Sequence, residues 1–101
     1  DFIESYCSKL NINSELTKLC QFVAIKIEKN MLMPENAPDS IAAGVIYFIT
    51  QLCKLNVTKR DIKDKSEISE VTINKCYKKL SVIKGELIPP KLLEKYQTQL
   101  S

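Results

Sequence analysis

The sequence predicts an all-α fold, on three observations. Apolar residues recur at spacings of three and four along most of the chain. No stretch alternates apolar and polar residues around an Asn-Gly or Asp-Gly turn, as strands joined in hairpins would. Glycine occurs only twice in 101 residues. At 45% hydrophobic residues, a chain of this length buries one modest core. Two segments differ sharply: "SIAAGVIYFI" carries no charge, while "VTKRDIKDKSEISEVTINKCYKKL", close behind it, is dense in lysine. A fold for this chain must explain that contrast.

Phe2, Ile3, Tyr6, Cys7 and Leu10 make the inner stripe of a first helix. A second starts after Asn13 or Ser14 as N-cap and carries Leu16, Leu19, Cys20, Val23, Ala24 and Ile27. Phe22 and Ile25 lie off that stripe, which predicts packing on more than one neighbour. Pro34 and Pro38 in "MPENAPDS" interrupt the helical run. Pro38 suits a first helical position, with Asp39 in the first turn to meet the helix dipole. The third helix, Pro38 to about Leu55, is apolar around nearly its whole circumference through Ile41, Val45, Ile46, Tyr47, Phe48, Ile49, Leu52 and Cys53. A helix of that kind is buried and central, and Val45, Tyr47, Phe48 and Leu52 are expected inside. Ala42, Ala43 and Gly44 keep its start slim enough for another helix to cross closely. The architecture expected is one central helix enclosed by four or five amphipathic ones, and "SIAAGVIYFI" is uncharged because it is the core.

The lysine-rich segment reads as two helices around a tight turn. Thr58 is a good N-cap, with Asp61 three residues on as an imperfect capping box. The helix runs through Ile62 and ends near Glu67. Ile68 is an apolar plug in the turn, Ser69 can cap the next helix, and Ile73, Tyr77 and Leu80 form its inner stripe. Helix, short plugged turn and helix make a helix-turn-helix. At about 100° per residue, with Ile73 inward, Val71, Asn74, Lys75 and Lys78 fall on the opposite face and Thr72 and Lys79 on its flanks. A valine can meet a thymine methyl, an amide can read a base edge, and lysines bind phosphate. The same spacing also suits an ordinary amphipathic helix with a solvated, lysine-rich side.

Charge is distributed accordingly. From Lys54 to Lys84 nine basic residues stand against four acidic, a surplus of five; elsewhere six basic stand against eight acidic, which leaves the net +3. A basic segment on a slightly acidic domain suggests a surface facing a polyanion. The four cysteines, Cys7, Cys20, Cys53 and Cys76, occupy apolar-periodic positions without a CxxC pair, and the chain has no histidine. Buried reduced thiols of a cytosolic or nuclear protein fit that pattern better than zinc ligands or a disulfide framework. No apolar run is long enough to span a membrane, and the N-terminus lacks the marks of a signal peptide. Because the chain opens without Met in mid-helix pattern, it is expected to be a piece of something longer. A Gly-rich phosphate loop and a nucleophile spaced from a base are both missing, so neither enzyme activity nor a cofactor is expected. Asp61 and Asp64 read as solvated helix-surface carboxylates beside lysines.

"PDSIAAGVIYFITQL" followed by "TKRDIKDKSEISEVTINKCYKKL" resembles the second cyclin-like repeat of the transcription initiation factor IIB (TFIIB) family. The resemblance rests on Pro38, Ser40, Ile41, Ala42 and Ala43 at the entry to the central helix and on the pair Ile46-Tyr47. It continues through Val71, Thr72, Ile73 and Tyr77, and "FIESYCSKLNI" is similar to the family's first helix. It covers roughly residues 2 to 90. It implies a five-helix cyclin-like fold over 1–88, with the helix-turn-helix at 58–83 and residues 89–101 as a helical extension or tail. It implies a nuclear general transcription factor, monomeric and with no membrane association, whose partners are promoter DNA, TATA-binding protein and RNA polymerase II. The helix-turn-helix of such a repeat enters the major groove upstream of the TATA box. The candidate DNA-contacting residues are then Val71, Thr72, Asn74, Lys75, Lys78 and Lys79 on the second helix, with Ser69 before it and Lys59 and Arg60 on the first. Asn74 stands where many family members carry arginine or lysine, which exchanges a guanine-reading fork for an adenine-pairing amide. Lys65, Ser66 and Glu67 stand where relatives place an apolar residue, a small one and a glycine, so the first helix of the motif keeps little besides Ile62 as an anchor. Other readings are the RNA polymerase III relative of TFIIB, and a cyclin box that docks proteins or activates a kinase and has no use for an exposed lysine face.

Overall fold

The computed structural model describes residues 1–88. Six helices follow one another: α1 (Phe2–Lys9), α2 (Ser14–Lys29), α3 (Pro38–Leu52), α4 (Lys59–Ser66), α5 (Glu70–Val82) and the short α6 (Lys84–Leu87). No strand occurs among the described residues. The extension expected over 89–101 lies outside them.

Four helices begin on a side chain that takes up an orphan backbone donor. Asp1 accepts from the Glu4 N–H (3.0 Å), Asn13 from Leu16 (2.8 Å), Thr58 from Asp61 (3.1 Å) and Ser69 from Thr72 (3.2 Å). α3 starts on Ala37 without a side-chain cap, and Pro38 fills its first turn, where a missing N–H leaves nothing unsatisfied.

The helix ends use residues that composition does not flag. After α1, α2 and α3 the chain turns left-handed at Asn11, Met31 and Lys54, with φ of 58°, 49° and 59°. At the end of α3, Lys54 N–H donates to the Gln51 carbonyl (3.1 Å) and Leu55 N–H to that of Thr50 (2.8 Å). The same pair of bonds closes α1 through Asn11 and Ile12, and α2 through Met31 and Leu32. This is the Schellman arrangement, usually built on glycine. It also explains why the third helix stops at Leu52 instead of continuing to Leu55: the left-handed Lys54 folds Leu55 back over the helix end, where it packs against the core.

α3 is the central helix. Ala42 to Ile46 and Phe48 to Thr50 are all buried, and α3 packs against α1, α2, α4 and α5. Val45 and Phe48 lie inside, but Tyr47 and Leu52 are half-buried. The Tyr47 ring sits at the seam with the helix-turn-helix, with Tyr77 edge-on at 4.9 Å and the Lys59 ammonium 5.6 Å from its centroid. The polar Thr50 is fully buried and donates its hydroxyl to the Tyr47 carbonyl (3.0 Å). All four cysteines are buried. Cys7, as hydrogen-bond neighbour, and burial push the Cys20 thiol well up, so it stays protonated.

α5 crosses close to the backbone of α3. A Cβ added at Gly44 would lie 2.4 Å from the Cys76 Cβ, a separation that real side chains do not tolerate. Gly44 is therefore the point where α5 rests on the backbone of α3.

α2 does pack on more than one neighbour, α1, α3 and α6, but Phe22 and Ile25 do not supply those contacts: they are 44% and 53% exposed. No described element covers that face of α2. Phe2 and Met31 are exposed as well, and Phe2, Ile25 and Met31 border a groove of about 850 Å³ floored by Ile3, Met33 and Ile41.

Gly44→Ala should lower stability by about 1–3 kcal/mol in urea denaturation, because α5 must shift to admit a methyl group. That loss outweighs the roughly 1 kcal/mol that alanine gains in helix propensity. Gly85→Ala is the control, since nothing lies within 4 Å of its added Cβ, and it should cost nothing. Phe48→Ala removes a core ring and should cost about 3–5 kcal/mol. A Gly44→Ala protein as stable as wild type would refute the close crossing.

Candidate nucleic-acid interface

α4 is short and strongly polar, and its start is pinned by a complete capping box. Thr58 N–H donates to Asp61 Oδ2 (2.9 Å), and Asp61 N–H donates to Thr58 Oγ1 (3.1 Å). Asp61 thus does what glutamate normally does at this position. Hydrogen bonding from Thr58, the backbone first, holds the Asp61 carboxyl below the usual carboxylate range. The helix buries only Ile62 and Ser66.

Ser66 organises the turn. Its hydroxyl donates to the Ile62 carbonyl (2.7 Å) and accepts from the Ile68 N–H (3.1 Å). Between them Glu67 adopts φ 65° and ψ 14°, the left-handed region, and donates its N–H to the Lys63 carbonyl (2.8 Å). Ile68 then packs on the core as the apolar plug. Ser69 caps α5, and its hydroxyl also donates to Thr72 Oγ1 (2.9 Å), so two of the candidate contact residues are occupied with each other at the helix start.

α5 is oriented by what it buries. Ile73, Cys76 and Leu80 are fully buried, and Tyr77 is half-buried against Tyr47 and Phe48, its ring 6.4 Å from that of Phe48. The opposite face follows from helix geometry. Val71 is 63% exposed, Lys75 and Lys78 are exposed, and Thr72 and Asn74 sit half-buried on the two shoulders. Val82, 85% exposed, continues the line of Val71, Lys75 and Lys78. On α4, Arg60 is exposed, while Lys59 is half-buried beside the Tyr47 ring. The structure thus brings Val71, Lys75 and Lys78 onto one open face and holds Lys59 against Tyr47 of α3 and Ser69 against Thr72.

Lys79 has a different environment. Its ammonium pairs with the Glu35 carboxylate and donates to Asn36 Oδ1 at 2.9 Å. Both partners belong to the α2–α3 loop, more than forty residues away in sequence. No local pattern could have revealed that contact. Ser66 was visible as a small residue before the turn, but its paired hydrogen bonds were not.

Fold and site together define a cyclin-like helical domain in which α4 and α5 form a helix-turn-helix. The family model for the transcription factor TFIIB repeat matches residues 1–83, and the chain belongs to that family. It is 39% identical to a putative transcription initiation factor IIB-like protein of Acanthamoeba polyphaga mimivirus, over 80% of this chain and 18% of that protein. It is 33% identical to transcription initiation factor IIB of Encephalitozoon cuniculi, over 94% of this chain and 31% of the relative. With the same factor of Oryza sativa it shares 37% identity over 88% of this chain and 28% of the relative. The chain therefore spans less than a third of the length of each of these relatives.

Four measurements check α4 and the turn after it. Glu67→Gly relieves a left-handed residue that bears a Cβ and should stabilise by about 1 kcal/mol. Ser66→Ala leaves the Ile68 N–H without its acceptor and should cost about 1–3 kcal/mol. In native-state amide exchange α4 should be the least protected of the five longer helices, since it buries only two side chains. Asp61 titrates lower folded than unfolded, so its contribution is complete above the unfolded pKa of about 3.9 and is lost as pH falls through the folded value. Protection of α4 should fall across that window in wild type, and less so in Thr58→Ala.

Proposed function

We propose that this chain is the second cyclin-like repeat of a general transcription initiation factor, engaging promoter DNA upstream of the TATA box through α5 of its helix-turn-helix. The observation that carries the proposal is the division of α5 into two faces. Ile73, Cys76 and Leu80 are sealed against α3, while Val71, Lys75 and Lys78 stand clear of the body. A helix held rigidly on its inner side, with cations and an apolar group outward, is what entry into a major groove requires. TATA-binding protein would fix the position on the promoter, and RNA polymerase II would be recruited by the whole factor, in the nucleus. No catalytic role is proposed.

Of the fifteen basic residues, Arg60 is the only arginine. The fork that reads guanine bidentately is thus scarce, and Lys75 and Lys78 act as point charges on phosphates. Binding is phosphate-led, with minor base preference from Val71, Thr72 and Asn74. The groove beside Phe2, Ile25 and Met31 favours a second, compatible role in docking a protein, because it is apolar and includes no residue of α4 or α5.

A mobility shift on TATA-containing promoter DNA, with and without TATA-binding protein, tests the proposal. Lys75→Ala and Lys78→Ala should each weaken all sequences about equally and lower the slope of log affinity against log salt by roughly one. Asn74→Ala should alter at most one base preference, worth about 1–3 kcal/mol. Loss of binding to one promoter alone on Asn74→Ala would mean that base readout dominates, and salt-independent binding would refute the DNA face.

A further inference from the structure

Lys79 extends the cationic edge of α5. It lies one helical turn beyond Lys75 and two beyond Thr72, on the flank that borders the open face. Unlike Lys75 and Lys78, it is held by a side chain of opposite charge. The loop that supplies the carboxylate is built to hold it there. Met33 is buried in the core and Asn36 donates its N–H to the Met33 carbonyl (3.2 Å), closing a turn around Pro34 and Glu35. From that turn Glu35 and Asn36 both reach the same ammonium. The Lys79–Glu35 pair is the one ion pair among the described residues, in a chain with fifteen basic side chains.

We propose that Glu35 is an affinity-limiting residue of the DNA face, an internal carboxylate that occupies Lys79 in place of a DNA phosphate. The inference rests on the DNA-binding reading above and assigns a role to a loop outside the helix-turn-helix. A carboxylate on a fixed turn is always present, whereas a phosphate must be brought in against entropy, so the intramolecular partner holds Lys79 when DNA binds. The contact limits the phosphate contacts of the flank, while Lys75 and Lys78 on the open face have no ion-pair partner among the described residues. Asn36 accepts one further ammonium proton, so the geometry of Lys79 persists when the charge of Glu35 is removed.

The test is a double-mutant cycle on the full chain, with affinity for one mixed-sequence DNA duplex measured across a salt series. Glu35→Gln should bind roughly three- to tenfold tighter at low salt and steepen the salt slope by about 0.9, the counterion signature of one new phosphate contact. Lys79→Ala alone should leave both affinity and slope close to wild type, because Lys79 is not spending its charge on DNA. In the double variant the gain should disappear. Both side chains are exposed, at 43% for Lys79 and 59% for Glu35, so all three variants should keep the wild-type melting temperature. If Glu35→Gln tightens binding equally with and without Lys79, the effect is a diffuse loss of negative charge and the proposal falls. A slope reduced by Lys79→Ala alone would place that lysine already on phosphate and would also overturn it. If none of the four proteins shows salt-dependent binding, the DNA-face reading fails and takes this inference with it.

Discussion

The approach of α5 to the backbone of α3 at Gly44 sets the rest of the structure. With no side chain at Gly44, the Cβ of Cys76 comes to where a methyl group would otherwise be. Ile73, Cys76 and Leu80 are then sealed, and a helix with three fixed inward residues has no freedom to rotate about its axis. The outward residues follow automatically: whatever stands near 180° from Ile73 points to solvent. The position of Val71, Lys75 and Lys78 is thus decided in the core and not at the surface. The aromatic contact of Tyr77 with Tyr47 adds a second point of attachment beside the first, one residue on along α5 and about one turn on along α3, and Lys59 over the same Tyr47 ring ties α4 to it.

The two glycines explain part of what was hard to read. Gly44 is used for close packing, and Gly85 meets nothing, so no glycine is left for a helix end. Four chain reversals therefore rest on Asn11, Met31, Lys54 and Glu67 in the left-handed region, where a Cβ is tolerated at a cost. Those residues carry no signal for a turn, apart from asparagine, which is why the third helix read three residues too long. The helix starts were legible because capping needs an oxygen at a defined place: Asn13, Thr58 and Ser69 stand out in the sequence and act as expected. Central burial of α3 was legible for the same kind of reason, since a helix apolar all round has no face to show water. The half-burial of Tyr47 and the exposure of Phe22 and Ile25 were not legible. Periodicity tells which residues prefer burial, and only the number and placement of neighbours tells which of them obtain it.

The candidate site divides along the same line. The outward face of α5 is a local property of one helix, and spacing alone located Val71, Lys75 and Lys78, although Asn74, placed on the same face, sits half-buried at its shoulder. Ser69 is tied up locally by its capping role, whereas the states of Lys59 and Lys79 depend on partners elsewhere. Ser69 shares its hydroxyl with Thr72, Lys59 leans on a ring of α3, and Lys79 meets a loop from the other half of the sequence. A count of lysines overstates the charge presented to a polyanion for this reason. The surplus of five between Lys54 and Lys84 includes Lys79, whose charge Glu35 balances across the fold.

That reduction has a consequence for how a module of this kind would be used. Electrostatic contacts give affinity to any duplex and steer association, but they do not choose a site. A domain with many unbalanced lysines would bind non-specific DNA tightly enough to compete with its own promoter target. On the proposed reading, Lys75 and Lys78, without an ion-pair partner among the described residues, with a half-buried asparagine and an exposed valine beside them, would favour modest affinity and little sequence choice. Such a surface acts best when another protein has already placed it at the right position. Linking it to further modules then adds affinity through effective concentration rather than through new contacts. The chain spans less than a third of the length of relatives named transcription initiation factor IIB, and a rigidly held helix face with few cations, if DNA is its partner as proposed, is a contribution that suits one part of a longer protein.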